Sequence, residues 1–227
     1  MAGRLYIPQL DLARLLPGLR QETPLLTGAN VAPRRTLTHI RLEADRTCTR
    51  PVFWGLTPAW LSVLDHAPHC ARAESLDARP MFREAFGARR CLVPVGGIYL
   101  WKLQPRFKQP FLVTRVDRAP LLLAGIWCRY HTTLTEHTDS MALVTVSTND
   151  FLAPLGDRLP ALIAADDAQR WLDPGTPTEA ARALLRPAPR ELLGAFPVSR
   201  RVNDPNNQDP ACAHPTGPML RWNEQET

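Results

Sequence analysis

The chain has 227 residues, of which 44 % are apolar and six are Trp. Global disorder is thereby excluded, and no run of about 18 apolar residues is present to cross a membrane. The formal net charge is +5, and of the 27 basic residues only Lys102 and Lys108 are Lys, the rest being Arg. The Arg guanidinium is a planar fork suited to phosphates and base edges. The same Arg excess also follows from codon usage in a GC-rich genome.

Met1 to Pro8 lacks a charged region followed by an apolar core, so no secretory signal is expected and the cytoplasm is the expected location. The five Cys (48, 70, 91, 128 and 212) are scattered and form no C-x-x-C pair. That pattern fits neither a disulfide framework nor a zinc ribbon, and reduced thiols are expected. The 23 Pro predict many loops and short elements.

In chain order, residues 9 to 20 predict a short leucine-faced helix that Pro17-Gly18 ends or distorts. Residues 29 to 33 form an extended turn. Thr36 to Leu42 alternates like a strand, and Pro51 to Leu56 continues as another. Pro58 to Leu64 reads as a helical turn, and residues 65 to 72 as irregular or extended. A helix is expected over Glu74 to Phe86. Cys91 to Val95 and Ile98 to Trp101 read as strands about Gly96-Gly97. Pro110 to Val116, Leu121 to Cys128 and Met141 to Val146 then suggest an antiparallel meander. Asp166 to Leu172 and Thr178 to Leu185 predict helices. Beyond Pro197 the chain is polar, and a loose tail is expected past about Asp209.

Strands outnumber helices and do not alternate with them regularly, which predicts an α+β fold. No repeat is visible. One domain over residues 1–208 is expected, followed by a polar tail over 209–227. No phosphate loop, dinucleotide fingerprint, G-x-S-x-G elbow or H-E-x-x-H helix occurs, and no cofactor is expected.

Asp65, His66, His69 and Cys70 could offer metal ligands, but a fourth ligand at proper spacing is missing, so no metal site is assigned. Cys70 beside His69 also invites a nucleophile reading. Neighbours on an extended chain point to opposite faces, however, which favours a buried, inert thiol. Trp54, Trp60, Trp101 and Trp127 lie near strand ends, where they serve the core or stack on unpaired bases.

Read together, a series of segments in fixed order resembles the SRAP family, the abasic-site processing proteins associated with the SOS response. These segments are Met1-Ala2-Gly3-Arg4, Asn30-Val31-Ala32-Pro33, Trp54-Gly55-Leu56 with Pro58 and Trp60, and Ala71-Arg72-Ala73-Glu74 with Met81-Phe82. They continue with Arg90-Cys91-Leu92-Val93-Pro94, then Gly97, Tyr99 and Trp101, then Lys108-Gln109-Pro110-Phe111 and Leu123-Ala124-Gly125-Ile126-Trp127. Val144-Thr145, Asp157-Arg158-Leu159-Pro160 and Pro197-Val198-Ser199 close the series. The match spans roughly residues 1 to 208. It implies a single domain with a mostly antiparallel, barrel-like β core and peripheral helices. It also implies a basic groove for single-stranded DNA, and an N-terminal Cys, exposed after loss of Met1, that captures the aldehyde of an abasic site as a thiazolidine. An Asn, a Glu and a His assist, and the same groups are linked to peptidase or lyase activity.

This chain departs at each chemical position. Ala2 replaces the Cys, Cys70 the Asn, Leu100 the Glu and Gly156 the His. Ala2 has no thiol to close a thiazolidine ring, and Leu100 cannot carry a proton. Arg4, Asn30, Trp60, Arg72 and Arg158 stand at positions matching the family's DNA groove, while Pro80 replaces a further groove Arg beside Arg79. The expectation is a protein that binds single-stranded or abasic-site DNA in the DNA-damage response without efficient covalent crosslinking. One alternative is a residual lyase or peptidase-type enzyme using the Ala2 α-amine or Cys70. A second is a non-catalytic protein-interaction scaffold.

Overall fold

The structure, a computed structural model, describes residues 3–58, 60, 67–131, 133 and 136–222. Two sheets carry the fold. The first contains β1 (Leu5–Ile7), β2 (Gly28–Val31), β7 (Gly97–Leu103), β8 (Lys108–Arg115), β12 (Leu193–Pro197) and β13 (Leu220–Arg221), in the order β13-β12-β8-β7-β1-β2. The second contains β3 (Thr36–Glu43), β4 (Arg46–Trp54), β5 (Cys70–Arg72), β6 (Arg90–Val95), β9 (Leu121–His131), β10 (His137–Ser147) and β11 (Arg158–Pro160). Its strands close on themselves. β10 pairs with β4, β4 with β3, β3 with β6, β6 with β9, and β9 again with β10, so the five form a barrel. Only the short β10–β4 contact, Ser140 and Met141 against Phe53 and Trp54, is parallel within that ring. The α+β expectation holds.

The period of two along each strand divides the core. Leu37, Val52, Trp54, Val93, Leu123, Met141 and Leu143 join Leu5, Ile98, Leu100 and Val113 of the first sheet in one cluster. The alternate residues Ile40, Leu92, Leu122, Ala124 and Val144 pack beneath α2 (Pro80–Ala88), α3 (Ala168–Leu172) and α4 (Thr178–Arg182). A third cluster on the outer side of the first sheet joins Tyr99, Leu112 and Phe196 to Val202 and Cys212.

Several sequence expectations are corrected. The helix over 9 to 20 contracts to α1 (Leu12–Leu15), because Leu16 is already extended and Gly18 turns with φ +86°. The helix over Glu74 to Phe86 divides into a 3-10 turn at Ala73–Ser75 and α2. Pro80 begins α2, and the residue before a proline is driven extended, as Arg79 is at φ −98°, ψ 118°. The meander is broken: β7–β8 and β9–β10 are hairpins, but β8 and β9 lie in different sheets. The turn between β6 and β7 also crosses between the sheets, and a Cβ at Gly97 would lie 2.8 Å from the Val113 carbonyl oxygen. Residues 209–222 do not hang loose. Cys212 is fully buried and β13 extends the first sheet beside β12. Of the expected helical turn at 58 to 64, only Pro58 and Trp60 are described.

One polar group is sealed into the barrel. His39 on β3 is fully buried, and neither ring nitrogen has a hydrogen-bond partner. It meets the Trp127 ring edge-on at 5.9 Å, and the Arg41 guanidinium covers Trp127 at 4.2 Å. Burial, aided by Arg41, lowers His39 from 6.5 to about 3, while Asp139 and Glu43 oppose the shift. The unfolded chain therefore takes up this proton near the ordinary histidine value, and the folded chain refuses it until far lower pH. Stability must fall as pH drops from about 6.5 towards 3, at up to about 1.4 kcal/mol per pH unit. In urea titrations at a series of pH values, His39→Leu is expected to remove close to one proton from that slope between pH 6.5 and 4. An unchanged slope would show that His39 protonates normally in the folded state.

Candidate functional site

Five of the positions singled out from the sequence, Cys70, Arg72, Leu100, Gly156 and Arg158, converge at one end of the seam between the sheets. β10 organises them. Leu143 and Thr145 pair with Cys70 and Arg72 of β5 on one side, while Ser147 pairs with Arg158 of β11 on the other. Thr148 holds the preceding loop, its backbone N–H on the Asp157 carbonyl at 3.0 Å and its hydroxyl on the Gly156 carbonyl at 2.7 Å. Leu100 on β7 faces this loop from the opposite sheet: a Cβ built on Gly156 would sit 3.6 Å from Leu100 Cδ2. Leu100, Leu152 and Leu155 are buried in the inter-sheet core, and Cys70 packs against the same cluster.

The N-terminal end of the described chain reaches the same place. A Cβ on Gly3 would stand 3.6 Å from His69 Nε2. His69 is fixed through its carbonyl, which accepts from Trp54 Nε1 at 2.8 Å and from the Leu143 N–H at 3.0 Å. Its ring meets Trp54 edge-on. Burial holds the imidazole below its ordinary value, which favours the neutral ring near pH 7. Sequence reading had grouped His69 with Asp65 and His66. Those two, like Ala2, lie outside the described residues. Adjacency to a replaced family position was the available signal for His69, and it was read only as a metal or nucleophile question.

Cys70 is not an activated thiol. Burial pushes it up to about 12, against a smaller opposing pull from Arg158. The thiolate, the nucleophilic form, is therefore scarce at neutral pH.

The expected DNA-facing residues separate into two groups. Trp60 is 63 % exposed, and Arg72 is exposed at the end of β5. Arg158, by contrast, is buried. It donates to the Thr145 hydroxyl at 3.2 Å, the Thr145 carbonyl at 2.6 Å and Glu74 Oε2 at 2.8 Å. Partial burial works to raise the Glu74 carboxyl, but the hydrogen bond from Arg158 overrides it and holds it below its ordinary value. Arg4 and Asn30 form a separate clamp on the outer face of the first sheet. Arg4 donates to Asn30 Oδ1 and to the Val202 carbonyl, both at 2.7 Å. Asn30 is fully buried, and its amide donates to the carbonyls of Val202, Asp204 and Asn207. That clamp fastens the segment after β12 onto the sheet. A separate cavity of about 1070 Å³ between α1, the 115–122 turn and residues 184–192 contains none of these positions.

Fold and site together define a two-sheet α+β domain in which Gly3, β5 and the loop before β11 meet at one end of the inter-sheet seam. Residues 1–205 match the SOS response associated peptidase (SRAP) family, and the chain belongs to it. It is 27 % identical over 208 residues to the abasic site processing protein YoqW of Bacillus subtilis (strain 168), covering 90 % of this chain and 91 % of that one. It is 26 % identical over 189 residues to the abasic site processing protein YedK of Escherichia coli (strain K12), covering 82 % and 83 %. A crystal structure of a Bacteroides thetaiotaomicron protein superposes with a TM-score of 0.82 over 93 % of this chain and 98 % of that one, at 21 % identity, which shows the shared fold.

Two substitutions test how far the site has become core. Gly156→Ala adds a Cβ at ordinary contact distance from the Leu100 methyls, so stability in urea should be kept or rise by about 0.4–1 kcal/mol. Leu100→Glu places a carboxyl at a position 3 % exposed among leucines, and should cost about 3 kcal/mol or more at pH 7. A neutral outcome for Leu100→Glu would show that the seam is open to water there. Native Cys70 should react with a thiol reagent far more slowly than in the urea-unfolded chain, as read by mass spectrometry of the labelled peptide.

Proposed function

We propose that this protein recognises single-stranded DNA carrying abasic sites, in the response to DNA damage, and holds it without efficient covalent capture. The family match over residues 1–205 carries the reading. By the resemblance drawn from the sequence, the positions that supply the family's chemistry fall here on Ala2, Cys70, Leu100 and Gly156. Leu100 is sealed into a leucine cluster, Gly156 offers no side chain and the Cys70 thiol is suppressed by burial. No general acid or base stands at the two positions where the family carries Glu and His. The abasic site processing relatives support the substrate class. The net charge of +5 and the exposed Arg72 and Trp60 support a polyanion that offers unpaired bases.

A second reading keeps some chemistry. Removal of Met1 leaves the Ala2 α-amine, whose ordinary pKa of about 7.7–8.0 leaves part of it neutral near pH 7. Its nitrogen can bond to the aldehyde carbon of a ring-opened abasic site with loss of water, giving a Schiff base. The observation favouring this reading is His69, a mostly neutral imidazole against Gly3, placed to accept a proton next to the N-terminal end.

A labelled single-stranded oligonucleotide bearing one abasic site separates these readings. Binding is expected with an affinity that falls with salt, at a logarithmic slope of about 0.7 per neutralised phosphate. Denaturing gels after borohydride treatment should show no adduct. A borohydride-dependent adduct would establish the amine chemistry instead, and affinity that is absent, or flat with salt, would defeat both.

A further inference from the structure

The tip of the hairpin formed by β7 and β8 takes part in no contact described above. Its last pair is Leu103 with Lys108, and the Gln104 N–H closes the tip on the Phe107 carbonyl at 2.8 Å. The tip is unusually apolar for an exposed turn. Leu103 is 74 % exposed and Phe107 44 %, two of the five large hydrophobic residues left exposed among the described residues. It is also uniformly basic. Lys102 and Lys108, the only lysines of the chain, flank it, Arg106 lies at its apex, and no acidic residue occurs from 101 to 116. No ion pair among the described residues engages Lys102, Arg106 or Lys108.

The Phe107 ring is held rather than loose. The Arg200 guanidinium lies over it at 5.2 Å. Arg200 belongs to the 3-10 turn Arg200–Asn203, and the other end of that turn binds the hairpin's base, with Trp101 Nε1 donating to Asn203 Oδ1 at 2.8 Å. The Arg4 guanidinium in turn covers Trp101 at 5.7 Å. Two anchor points between hairpin and turn therefore fix the direction in which the tip points. Leu100, on the same strand, lies three residues before Leu103, so tip and site are roughly 10 Å apart at ~3.3 Å per residue.

An exposed aromatic ring with a cation on one face, ringed by unpaired cations, fits a nucleic-acid strand better than a protein surface: bases stack on the ring and phosphates meet the lysines. We infer that the 102–108 hairpin tip, with Arg200, is a stacking platform for the nucleotides that flank the abasic site as the strand leaves the inter-sheet seam. The inference rests on the DNA-binding reading above and assigns the flanking strand its surface. Phe107 and Leu103 engage bases, while Lys102, Arg106 and Lys108 neutralise phosphates.

The test uses the full chain and fluorescence anisotropy with two single-stranded probes, a 15-mer with a central abasic site and a 3-mer with one nucleotide on either side of it. Phe107→Ala is expected to weaken 15-mer binding about tenfold or more, with Phe107→Trp restoring it. The 3-mer should bind wild type and Phe107→Ala alike. The triple change Lys102→Ala, Arg106→Ala, Lys108→Ala should reduce the logarithmic salt slope on the 15-mer by about 2, at about 0.7 per lost phosphate contact. Arg106, Phe107 and Lys108 are exposed and Lys102 is half-buried, so the melting temperature should barely move, and that is measured in parallel. If wild type binds the 15-mer and the Phe107 and triple variants bind it equally well, the hairpin inference falls while DNA binding stands. If wild type binds neither probe, both fall. Wild-type binding to vesicles of phosphatidylcholine with phosphatidylserine that is lost in Phe107→Ala, beside unchanged 15-mer binding, would assign the tip to a lipid surface and overturn it.

Discussion

Strand β10 is the element through which the rest of the structure is held in register. Its first half pairs with β9 from His137 to Leu143 and closes the barrel, touching β4 at Ser140 and Met141. Its second half runs between β5 and β11 from Leu143 to Ser147. Because side chains alternate, a one-residue slip of β10 would turn Met141 and Leu143 out of the inter-sheet core and bring Ala142 and Val144 into it. The same slip would move Cys70, Arg72 and Arg158 relative to one another. The Arg158 guanidinium guards against it by reaching both oxygens of Thr145 and the carboxylate of Glu74, which lies just past β5. Neither β5 nor β11, three residues each, is long enough to set its own register.

That construction also bears on which residues the seam can hold. An acid or base facing the core must be desolvated, and sites built that way are costly to stability. With Leu at 100 and Gly at 156 the cost disappears: the leucine joins Leu152 and Leu155, and the glycine leaves open space that its methyl groups border. The strand order and the close approach of Gly3 to His69 rest on packing and backbone pairing, with no charged group required at those two positions.

Much of this was legible in the sequence, and the failures share a cause. Strands with five or more alternating residues, such as β3, β8, β9 and β10, announced themselves by periodicity. β5 did not, because three residues carry no period and its partner is parallel and some seventy residues away. The assignment of β6 and β7 to different sheets was equally hidden: Gly96-Gly97 reads as a tight turn, and only the close approach of Leu112 and Val113 at Gly97 shows why glycine is needed there. The chain past Asp209 looks loose because it is polar, yet Cys212 is buried in the cluster on the outer side of the first sheet, and its thiol donates to the Asn207 carbonyl that the Asn30 amide also holds. Contacts of this span leave no local trace in composition.

The arginines mislead for a related reason. A surplus of cations reads from sequence as a surface for anions, but several guanidiniums here are used as branched hydrogen-bond donors inside the fold. Arg90, 2 % exposed, donates to the carbonyls of Phe86, Gly87, Trp171, Asp173 and Thr176, tying the end of α2 to α3 and the turn beyond it. Arg4 and Arg158 do the same at the two faces of the molecule, and Arg41 lies buried between Asp139 and Glu43. Five donors in a rigid plane can satisfy more carbonyls, over a wider spread, than the three donors clustered on a lysine ammonium. The arginine count is therefore a poor measure of how many cations reach solvent. What reaches solvent is a smaller set, and the two lysines, both on the β7–β8 hairpin, belong to it because a strongly hydrated point charge has little to gain from burial. The division of labour between guanidinium and ammonium thus marks the β7–β8 hairpin, more than the arginine count does, as a place where charge is presented to solvent.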